Sequence, residues 1–388
     1  MTRIAILASH PIQYQAPLFR CLAARADVAL RVFFCWNFGV TKNFDPGFKR
    51  EFLWDIPLLD GYDSEFVPNI AKRPHTDHFW GLINPSIATR IKDFRPDALI
   101  THGYGHATEA AVIAAARSLR IPVLLRGDSQ LTESRKAWVR AAKRVVLGGL
   151  FRRLSGAISA GSLNKKYYLH YGVPEERIFF APYSVDNQFF ISRAAAAKRA
   201  AAERRAQLGI DAHRTTFVFA GKLADYKGPQ DLIRAFGQLS PDNAALILAG
   251  EGPTRGELEA LARTFPKAAI HFLGFANQTE MPAIYALGDV FVIPSRTEPW
   301  GLAVNEAMSM SCPILASAEV GAAPDLVDAT NGWVFPAGDV AALSRCLDEA
   351  RRDKRRLQTM GAASLERIAA WDIDKTAEGF VQAARAVA

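Results

Sequence analysis

Residues 216–249 read TFVFAGKLADYKGPQDLIRAFGQLSPDNAALILA. The stretch opens with an apolar run at Thr216–Ala220 and closes with another at Ala244–Ala249, and both runs are typical of buried strands. Between them, Gln230–Leu239 has the apolar spacing of an amphipathic helix. A strand, a helix and a second strand at this spacing indicate a parallel βαβ unit.

The same alternation extends in both directions along the chain. Further strands are predicted at Ile270–Leu273, Val290–Ile293 and Pro313–Ala316 on one side, and at Arg3–Ala8, Ala29–Phe34, Ala98–Thr101, Val123–Arg126 and Gly156–Ser159 on the other. Helical patterns lie between them, at Ala16–Ala26, Thr108–Leu119, Leu163–Tyr171, Glu257–Thr264, Met281–Leu287 and Leu302–Met310. The sequence therefore predicts an α/β protein with two Rossmann-like, doubly wound domains that face each other across a cleft.

The chain of 388 residues is too long for one core, because single cores stop growing near about 250–300 residues. We predict one domain over residues 1–185 and a second over 186–370, with Pro182–Asn187 as the crossover. The Ala- and Arg-rich run at Arg193–Leu208 favours an exposed helix. The segment Asn37–Pro85, rich in aromatic residues, Pro and Gly, is interpreted as long loops.

Composition excludes several classes of protein. With 49% hydrophobic and 22% charged residues, the chain is neither disordered nor fibrous. No run of about 18 apolar residues spans a membrane, and no secretory signal precedes the first strand. The four cysteines fit neither a zinc site nor a disulfide framework, so we expect a cytoplasmic protein. The net charge of +8 favours polyanions or phosphorylated small molecules as partners.

Two loops that follow strands carry candidate ligand groups. Gly221–Gly228 places Lys222 and Lys227 before a helix, where backbone N–H groups and lysine charges together suit a diphosphate. Two solvated surface lysines are the alternative, and the loop alone leaves both interpretations open. Ala249–Pro253 (AGEGP) allows close backbone approach to a ligand, although any strand-to-helix turn is often glycine-rich.

A third loop is the most informative. Ser295–Met308 (SRTEPWGLAVNEAM) places Glu298 just before a helix that begins near Leu302, and Glu306 in its second turn. Two carboxylates beside helix N–H groups suit a molecule with both hydroxyls and phosphate. Two ordinary surface glutamates are the alternative, and the two preceding loops in register argue against it.

These motifs resemble the C-terminal half of retaining glycosyltransferases of family 4, which have the GT-B fold. The resemblance covers about 150 residues and includes GKLADYKG, AGEGP, HFLGF at His271–Phe275, YALGDVFVIPS at Tyr285–Ser295, EPWGLAVNEAM and NGWVFPAGD at Asn331–Asp339. It implies transfer of a sugar from a nucleotide-diphosphate sugar, with UDP favoured over GDP, to a glycan or lipid-linked acceptor in polysaccharide or glycoconjugate synthesis. It also implies a hexosyltransferase that needs no metal or other cofactor, and a final helix within 371–388 that packs toward the N-terminal, acceptor-binding domain.

The resemblance also implies roles for matching residues. Lys222, where the family usually has Arg, and Lys227 would neutralise the donor diphosphate, and Glu298 would hold the transferred sugar. Glu306 would bind the ribose, the Gly301 and Leu302 amides the phosphate, and Gly274–Phe275 the base. The remaining predicted donor contacts are Gly221, Gly250, Gly252, Pro299 and Trp300.

The N-terminal half departs from the family pattern. Its opening loop Ser9–Pro17 has no glycine, so His10, Gln13 and Gln15 are predicted to contact acceptor or donor instead. Where many members carry a histidine facing the sugar, this chain has Asp128, preceded by Arg126. We predict a catalytic role for Asp128 and acceptor contact for Arg126, with capping of the next helix as the alternative for Asp128.

His102 and His106 follow the strand at Ala98–Thr101 and are predicted acceptor contacts, although lone histidines are usually structural or exposed. Residues 131–155 are rich in Lys and Arg, with apolar residues interleaved. This segment is interpreted as a helix that binds an anionic membrane surface, or as an ordinary helix packed on the sheet. The first interpretation would make the protein a peripheral membrane protein. Its basic residues are Arg135, Lys136, Arg140, Lys143, Arg144, Arg152 and Arg153, against Glu133.

Two other functions remain open from the residues. One is a sugar-nucleotide epimerase or phosphorylase of the same fold, and the other is a non-catalytic sugar or nucleotide binder. A nucleic-acid partner is not expected, because no recognised nucleic-acid module occurs in the chain.

Overall fold

The computed structural model describes residues 1–45, 50–131, 137–240 and 243–388. The chain divides into two compact units. The first unit comprises Met1–Asn43, Ile56–Tyr183 and Ile373–Ala388. The second unit comprises Phe44–Asp55 and Ser184–Asp372.

The first unit contains a seven-stranded parallel sheet. In chain order the strands are β1 (Thr2–Ala8), β2 (Val28–Phe34), β3 (Asn43–Asp45), β4 (Arg50–Phe52), β5 (Ser64–Phe66), β6 (Ala98–His102), β7 (Val123–Arg126), β8 (Gly156–Ser159) and β9 (Ile178–Phe180). Strands β3 and β4 form a separate two-stranded sheet that, apart from Asn43, belongs to the second unit. The spatial order is β5-β2-β1-β6-β7-β8-β9, which reverses between β1 and β6.

The strands of the second unit form a six-stranded parallel sheet. They are β10 (Thr215–Ala220), β11 (Ala244–Ala249), β12 (Ile270–Gly274), β13 (Val290–Ile293), β14 (Ile314–Ser317) and β15 (Gly332–Phe335). Their order is β12-β11-β10-β13-β14-β15, the 3-2-1-4-5-6 order of a Rossmann domain.

Helices cover the faces of both sheets. Those of the first unit are α1 (Ala16–Ala23), α2 (Ile87–Phe94), α3 (Ala107–Leu119), α4 (Ala137–Phe151) and α5 (Ser162–His170). Those of the second are α6 (Asn187–Gln207), α7 (Pro229–Gly237), α8 (Arg255–Arg263), α9 (Met281–Ala286), α10 (Leu302–Ser309), α11 (Ala323–Leu326), α12 (Val340–Ala350) and α13 (Lys354–Ile368). The last helix, α14 (Ile373–Val387), belongs to the first unit, where Phe380 and Val381 enter the core.

Side-chain alternation along β1 explains why the first unit has two cores. Ile4 and Ile6 pack with α1 and α14 on one face, whereas Ala5 and Leu7 pack on the other face with α3, α4 and α5. Because parallel strands are buried on both faces, they appear in sequence as continuous apolar runs. This is why the predicted strands agree with the observed ones within one or two residues.

Several elements differ from the sequence prediction. The segment predicted as loops, Asn37–Pro85, contains β3, β4 and β5, and part of it clusters with the second unit. Helix α6 starts six residues before the predicted Arg193, because the Asp186 side chain accepts a hydrogen bond of 2.9 Å from the backbone N–H of Phe189.

Candidate functional site

The candidate donor site lies at the topological switch point of the second unit. The sheet order reverses between β10 and β13, so the connections from these strands leave in opposite directions. Ligands of open α/β sheets bind in the crevice outside the carboxyl ends of such strands. The loop with Lys222 and Lys227 follows β10, and the loop with Glu298 follows β13.

Two side chains that sequence reasoning missed hold these two loops together. Arg296 donates two hydrogen bonds of 2.8 Å, from Nε and Nη2, to the carboxylate of Asp231, which is buried on α7. The Arg296 backbone N–H also donates to the Tyr226 carbonyl at 2.8 Å. The sequence offered one signal for this contact: Asp231 is an acidic residue among the apolar residues of α7, the helix that follows the lysine loop. Bidentate arginine–carboxylate pairs fix both distance and orientation.

This arrangement brings Lys227 and Glu298 into contact. The Lys227 ammonium donates a hydrogen bond to Oε2 of Glu298, and the Ser295 hydroxyl donates to the same oxygen at 3.2 Å. Glu298 is buried, at 8% exposure, and Lys227 is partly buried. The residue predicted to bind the diphosphate and the residue predicted to bind the sugar are therefore in direct contact.

Helix α10 points its amino end into the same region. Its N-cap is Gly301 at φ 93°, a left-handed conformation that strains any residue with a Cβ. A Cβ there would also lie 3.1 Å from Ile293 and Val320 side-chain atoms. The first-turn N–H groups of an α-helix lack intrahelical acceptors and carry the positive end of the helix dipole. The turn at Gly301 thus places the amino end of α10 next to Glu298, the partner of Lys227.

Glu306 lies one turn further along α10 and is held by two donors. Its Oε2 accepts a hydrogen bond of 2.6 Å from the Tyr285 hydroxyl, and its Oε1 accepts one of 3.3 Å from Gln278 Nε2. Burial raises the pKa of Glu306, while the bonds from Tyr285 and Gln278 act in the opposite direction. The carboxylate is therefore fixed in orientation, as an acceptor pair for sugar hydroxyls requires.

The glycine loops after β10, β11 and β12 interlock. The Gly250 N–H donates to the Gly274 carbonyl at 2.7 Å, and the Gly221 N–H donates to the Ala249 carbonyl at 3.0 Å. A Cβ on Gly250 would lie 1.9 Å from the Gly221 carbonyl oxygen, so only glycine fits. Gly252 approaches Leu223 in the same way. Lys222 and Phe275 are both partly buried in these loops.

Trp300 has a different position from the one predicted. Its side chain is 3% exposed, its indole N–H donates to Asn305 Oδ1 at 2.9 Å, and its ring stacks on Trp371 at a centroid distance of 5.3 Å. Trp300 therefore supports the loop from inside and does not present its ring to a ligand. Its neighbour Pro299 is exposed.

The predicted acceptor residues gather at the switch point of the first unit. His10, Gln13 and Gln15 follow β1, whereas His102 is the last residue of β6, which pairs with β1. His106 follows β6, and Arg126 and Asp128 lie at the end of β7, the next strand.

Within this group, two residues are engaged in the core. The guanidinium of Arg126 is buried and donates to the carbonyls of Ala181 and Pro182 at 2.7 and 3.2 Å. His102 Nδ1 lies 2.9 Å from Gln15 Nε2, and its ring contacts Phe19 and Phe380. Burial lowers the pKa of His102 to about 3, with the nearby charge of Arg126 acting in the same direction. Both side chains thus pack inside the first unit, Arg126 against the chain that follows β9 and His102 between α1 and α14.

The remaining side chains of this group lie nearer the surface. His10 is partly buried between Trp36 and Phe38, with Nδ1 3.0 Å from the Ser9 hydroxyl. The capping alternative for Asp128 is wrong, because residues 128–131 are not helical and the described part of α4 begins at Ala137. Asp128 raises the pKa of the Tyr14 hydroxyl, although burial is the larger cause of its value of about 12.

His106 is held by polar contacts. Its Nε2 lies 3.2 Å from the Thr76 carbonyl, and its Nδ1 lies 3.2 Å from the buried carboxylate of Glu109. Burial alone would lower the pKa of His106, and the contacts with Glu109 raise it overall.

The described residues contain no group of three or more His, Cys, Asp or Glu side chains arranged to hold a metal ion. None of the helices in the described part of the chain has the length and apolar character needed to cross a membrane.

The motifs of the second unit correspond to a known family. Residues 201–367 match the family of glycosyl transferases group 1. The matched residues include β10 to β15 and every candidate donor residue named above.

Curated relatives align over parts of the chain. The sequence is 36% identical over 135 residues to an uncharacterized glycosyltransferase of Methanocaldococcus jannaschii, which covers 34% of this chain and 35% of that protein. It is 31% identical over 212 residues to a GDP-mannose-dependent alpha-(1-6)-phosphatidylinositol monomannoside mannosyltransferase of Mycobacterium tuberculosis, covering 51% of this chain and 54% of that protein. The chain thus spans between a third and about half the length of these relatives.

Solved structures match over almost the whole chain. Anabaena HepE in complex with UDP superposes with a TM-score of 0.75 at 18% identity, covering 98% of this chain and 99% of that one. Its complex with UDP-glucose gives a TM-score of 0.71 at 17% identity, with coverage of 98% and 100%. The likeness confirms the predicted fold class, with two parallel α/β domains as in GT-B glycosyltransferases.

Proposed function

We propose that this protein is a retaining glycosyltransferase of family 4 that moves a sugar from a nucleotide-diphosphate sugar to a glycan or lipid-linked acceptor. The observation that carries the proposal is the contact of Lys227 and Glu298 at a Rossmann switch point, beside the amino end of α10. The match to glycosyl transferases group 1 over residues 201–367 supports it independently.

The chemistry requires stabilisation of a departing diphosphate. The bond between the anomeric carbon and the phosphate oxygen breaks, and its electron pair stays on the diphosphate. Lys227, Lys222 and the first-turn amides of α10 would neutralise that charge, which is transition-state stabilisation by preorganised donors. A new bond forms from the anomeric carbon to an acceptor hydroxyl oxygen, and the proton of that hydroxyl passes to the departing phosphate oxygen.

The carboxylates would orient the rest of the donor. Glu298 accepts from sugar hydroxyls, and Glu306, fixed by Tyr285 and Gln278, accepts from the ribose. The Gly274–Phe275 turn lies beside the loops of Gly221 and Gly250, where it would face the base. These roles use no metal ion, since lysines and helix amides supply the positive charge.

We propose UDP as the donor nucleotide, since Anabaena HepE, with the same fold, is solved with UDP and UDP-glucose. A thermal-shift screen against UDP, GDP, ADP and their sugars tests this, because a ligand that binds only the folded form raises Tm. A shift with UDP and UDP-sugars supports the proposal, whereas no shift with any nucleotide would contradict it. Product analysis by NMR then reports the anomeric configuration, and turnover without acceptor would indicate an epimerase.

We also propose that the first unit docks on an anionic membrane surface through α4, making the protein peripheral on the cytoplasmic side. Leu147, Leu150 and Phe151 of this helix pack on the core. Trp138, Val145 and Val146 are instead 71%, 75% and 67% exposed. Basic side chains on this helix and just after it are also exposed, namely Arg140, Arg144, Arg152 and Arg153. An apolar stripe with basic flanks suits a membrane surface.

Three charged residues of the segment 131–155, Glu133, Arg135 and Lys136, lie outside the described residues.

Co-sedimentation with vesicles of phosphatidylglycerol and phosphatidylcholine tests the proposal that α4 docks on a membrane. Binding should need the anionic lipid and should fall when Trp138 and Val145 are changed to Ser, while the matched change of exposed Ile70 has no effect. Equal binding to vesicles of phosphatidylcholine alone would overturn it.

A further inference from the structure

A pocket lies at the edge of the second unit's sheet opposite the donor loops. It has a volume of about 380 Å³ and is formed by α6, α13, and the residues just before β13 and β14. The amino ends of parallel strands lie opposite the carboxyl ends that carry the donor loops. We refer to this cavity as the basal pocket, and it is distinct from the candidate donor site.

The charges of the basal pocket are predominantly positive. Three basic side chains line it, Lys198, Arg205 and Lys354, against one acidic side chain, Asp289. Arg205 Nη2 pairs with Asp289 at 3.0 Å, so these two charges balance. The Asp289 carboxylate also accepts from the Thr216 N–H at 2.8 Å, which fixes it in place.

Two positive charges then remain. Lys354 donates to the carbonyls of Ala212 and Arg214 at 2.8 Å each, which fixes its position, and its Nζ lies 3.9 Å from the Asp289 carboxylate. Lys198 is exposed on α6 and has no hydrogen bond or ion pair with any described side chain. An exposed lysine at the mouth and a fixed lysine in the wall suit an anion with two negative charges.

The floor of the pocket is apolar. Tyr285, Met310 and Leu357 are buried and line the cavity. Ligand pockets commonly have volumes of about 300–1,000 Å³ and combine an apolar lining with a few polar groups. The volume and this lining leave room for an organic group beyond the charged one.

We propose that the basal pocket binds a small phosphate ester, with its dianionic phosphate between Lys198 and Lys354 and its organic part on the floor. The phosphate charge matches the two lysines, and the floor distinguishes an ester from inorganic phosphate. The basal pocket does not overlap the candidate donor site, since none of the candidate donor residues lines it.

The pocket is nevertheless connected to the donor site. The Tyr285 ring lines the pocket, and its hydroxyl holds Glu306 at 2.6 Å. Met310, also in the lining, caps the helix that carries Glu306. An occupant that packs on Tyr285 stabilises the orientation of Glu306, so it should strengthen nucleotide binding, and the nucleotide should strengthen binding of the ester to the same degree. This consequence rests on the proposed function, whereas the pocket itself does not.

Isothermal titration of the full chain with glucose 6-phosphate, at constant ionic strength, tests the site. Binding should be weaker for inorganic phosphate and absent for glucose. Lys198→Glu should lower the affinity for glucose 6-phosphate by about tenfold or more, which is the loss expected for one charge-assisted contact. Arg199→Glu makes the same charge change on the same helix but outside the pocket, and it should leave the affinity unchanged.

A donor-site variant separates the two proposals. Lys227→Met should keep its affinity for glucose 6-phosphate while losing nucleotide binding. Loss of ester binding in Lys227→Met would place the anion at the donor site and overturn the basal pocket. Equal weakening by Lys198→Glu and Arg199→Glu, or no binding of the ester at all, would also overturn it. Absence of transferase activity in the intact enzyme would instead contradict the proposed function and leave this result standing.

Discussion

Lys227 and Glu298, 71 residues apart in sequence, form a hydrogen-bonded ion pair in the second unit. The glutamate is the more buried partner, and Ser295 donates to the same carboxylate oxygen. The pair therefore stabilises the second unit locally, besides lying in the candidate donor site. A diphosphate that takes up the lysine charge must compete with a carboxylate already bound to it.

The first prediction concerns stability and activity of this pair. Sequence alone suggests that Lys227→Ala should abolish transfer with little change in stability. The structure modifies this expectation, because removing the lysine leaves Glu298 buried without its counter-charge. We expect Lys227→Ala to destabilise the second unit by about 1–3 kcal/mol and to reduce kcat by about 10²–10³.

A double-mutant cycle separates the two effects. Lys227→Met/Glu298→Gln removes both charges and should recover most of the lost stability, measured by urea unfolding, without recovering transfer. Lys267→Ala, at an exposed lysine of the same unit, serves as the control and should change neither quantity. Normal turnover by the double variant would exclude both residues from catalysis.

Tyr285 provides the second prediction. Its hydroxyl fixes Glu306, so Tyr285→Phe should leave the carboxylate with the longer bond from Gln278 at 3.3 Å. If Glu306 binds the ribose, we expect KM for the nucleotide sugar to rise about tenfold, while kcat and KM for the acceptor change little. Steady-state kinetics with each substrate varied in turn measures this split.

Tyr62→Phe is the matched control for loss of a tyrosine hydroxyl. The Tyr62 hydroxyl donates to the Leu58 carbonyl in the first unit, so its removal should lower Tm and leave nucleotide affinity unchanged. A purely structural role for Tyr285 would show itself as parallel losses of stability and kcat with an unaltered KM for the donor.

The central strands could be predicted because a parallel strand is buried on both faces and therefore occurs in sequence as an unbroken apolar run. Ile4 and Leu246 are core residues of two such runs. The sequence did not predict β5 or β9, which have three residues each and lie at the sheet edges, where such runs are too short to recognise. Nor did it identify Phe44–Asp55 as part of the second unit, since that depends on contacts such as the one between Asp55 and Thr279.

The donor loops were identified because each follows a predicted strand. The partner of each side chain was not, since pairing between Lys227 and Glu298 or between Arg296 and Asp231 depends on the strand order, which places β13 beside β10. Packing of Trp300 was equally out of reach of the sequence. A motif residue next to a ligand loop was predicted to contact the donor, and its stacking on Trp371 became visible only in three dimensions.

Gly250 carries the third prediction. An added Cβ would lie 1.9 Å from the Gly221 carbonyl oxygen, and the backbone at φ 149° also disfavours a side chain. Gly250→Ala should therefore destabilise the protein by about 2–4 kcal/mol, since neither loop has room to move without breaking the bond between Gly250 and Gly274. The urea midpoint measures this loss.

Gly256→Ala is the control for that substitution. No atom lies within 4 Å of a Cβ at this position on α8, and alanine favours a helix over glycine by about 0.5–1 kcal/mol. Gly256→Ala should be neutral or slightly stabilising. Equal midpoints for the two variants would show that the donor loops rearrange freely, contrary to the packing described above.

His102 leads to a prediction about pH. Burial lowers its pKa to about 3, compared with 6.5 for an ordinary histidine, so the unfolded chain binds a proton here that the folded chain does not. The corresponding stability is fully present above pH 6.5 and is lost as the pH falls toward 3. Between these values the free energy of unfolding should depend on pH with a contribution of up to about 1.4 kcal/mol per pH unit from this one group.

His102→Phe removes the titrating group while keeping a ring against Phe19 and Phe380. The variant loses the bond to Gln15 and so should be less stable at neutral pH, but its free energy of unfolding should fall less steeply than that of the wild type between pH 6 and pH 4. His170→Gln, at an exposed histidine of the same unit, should keep the wild-type slope. If His102→Phe and wild type lose stability in parallel over this range, His102 is not a neutral buried histidine, and its predicted contact with the acceptor becomes the better explanation of its position at the end of β6.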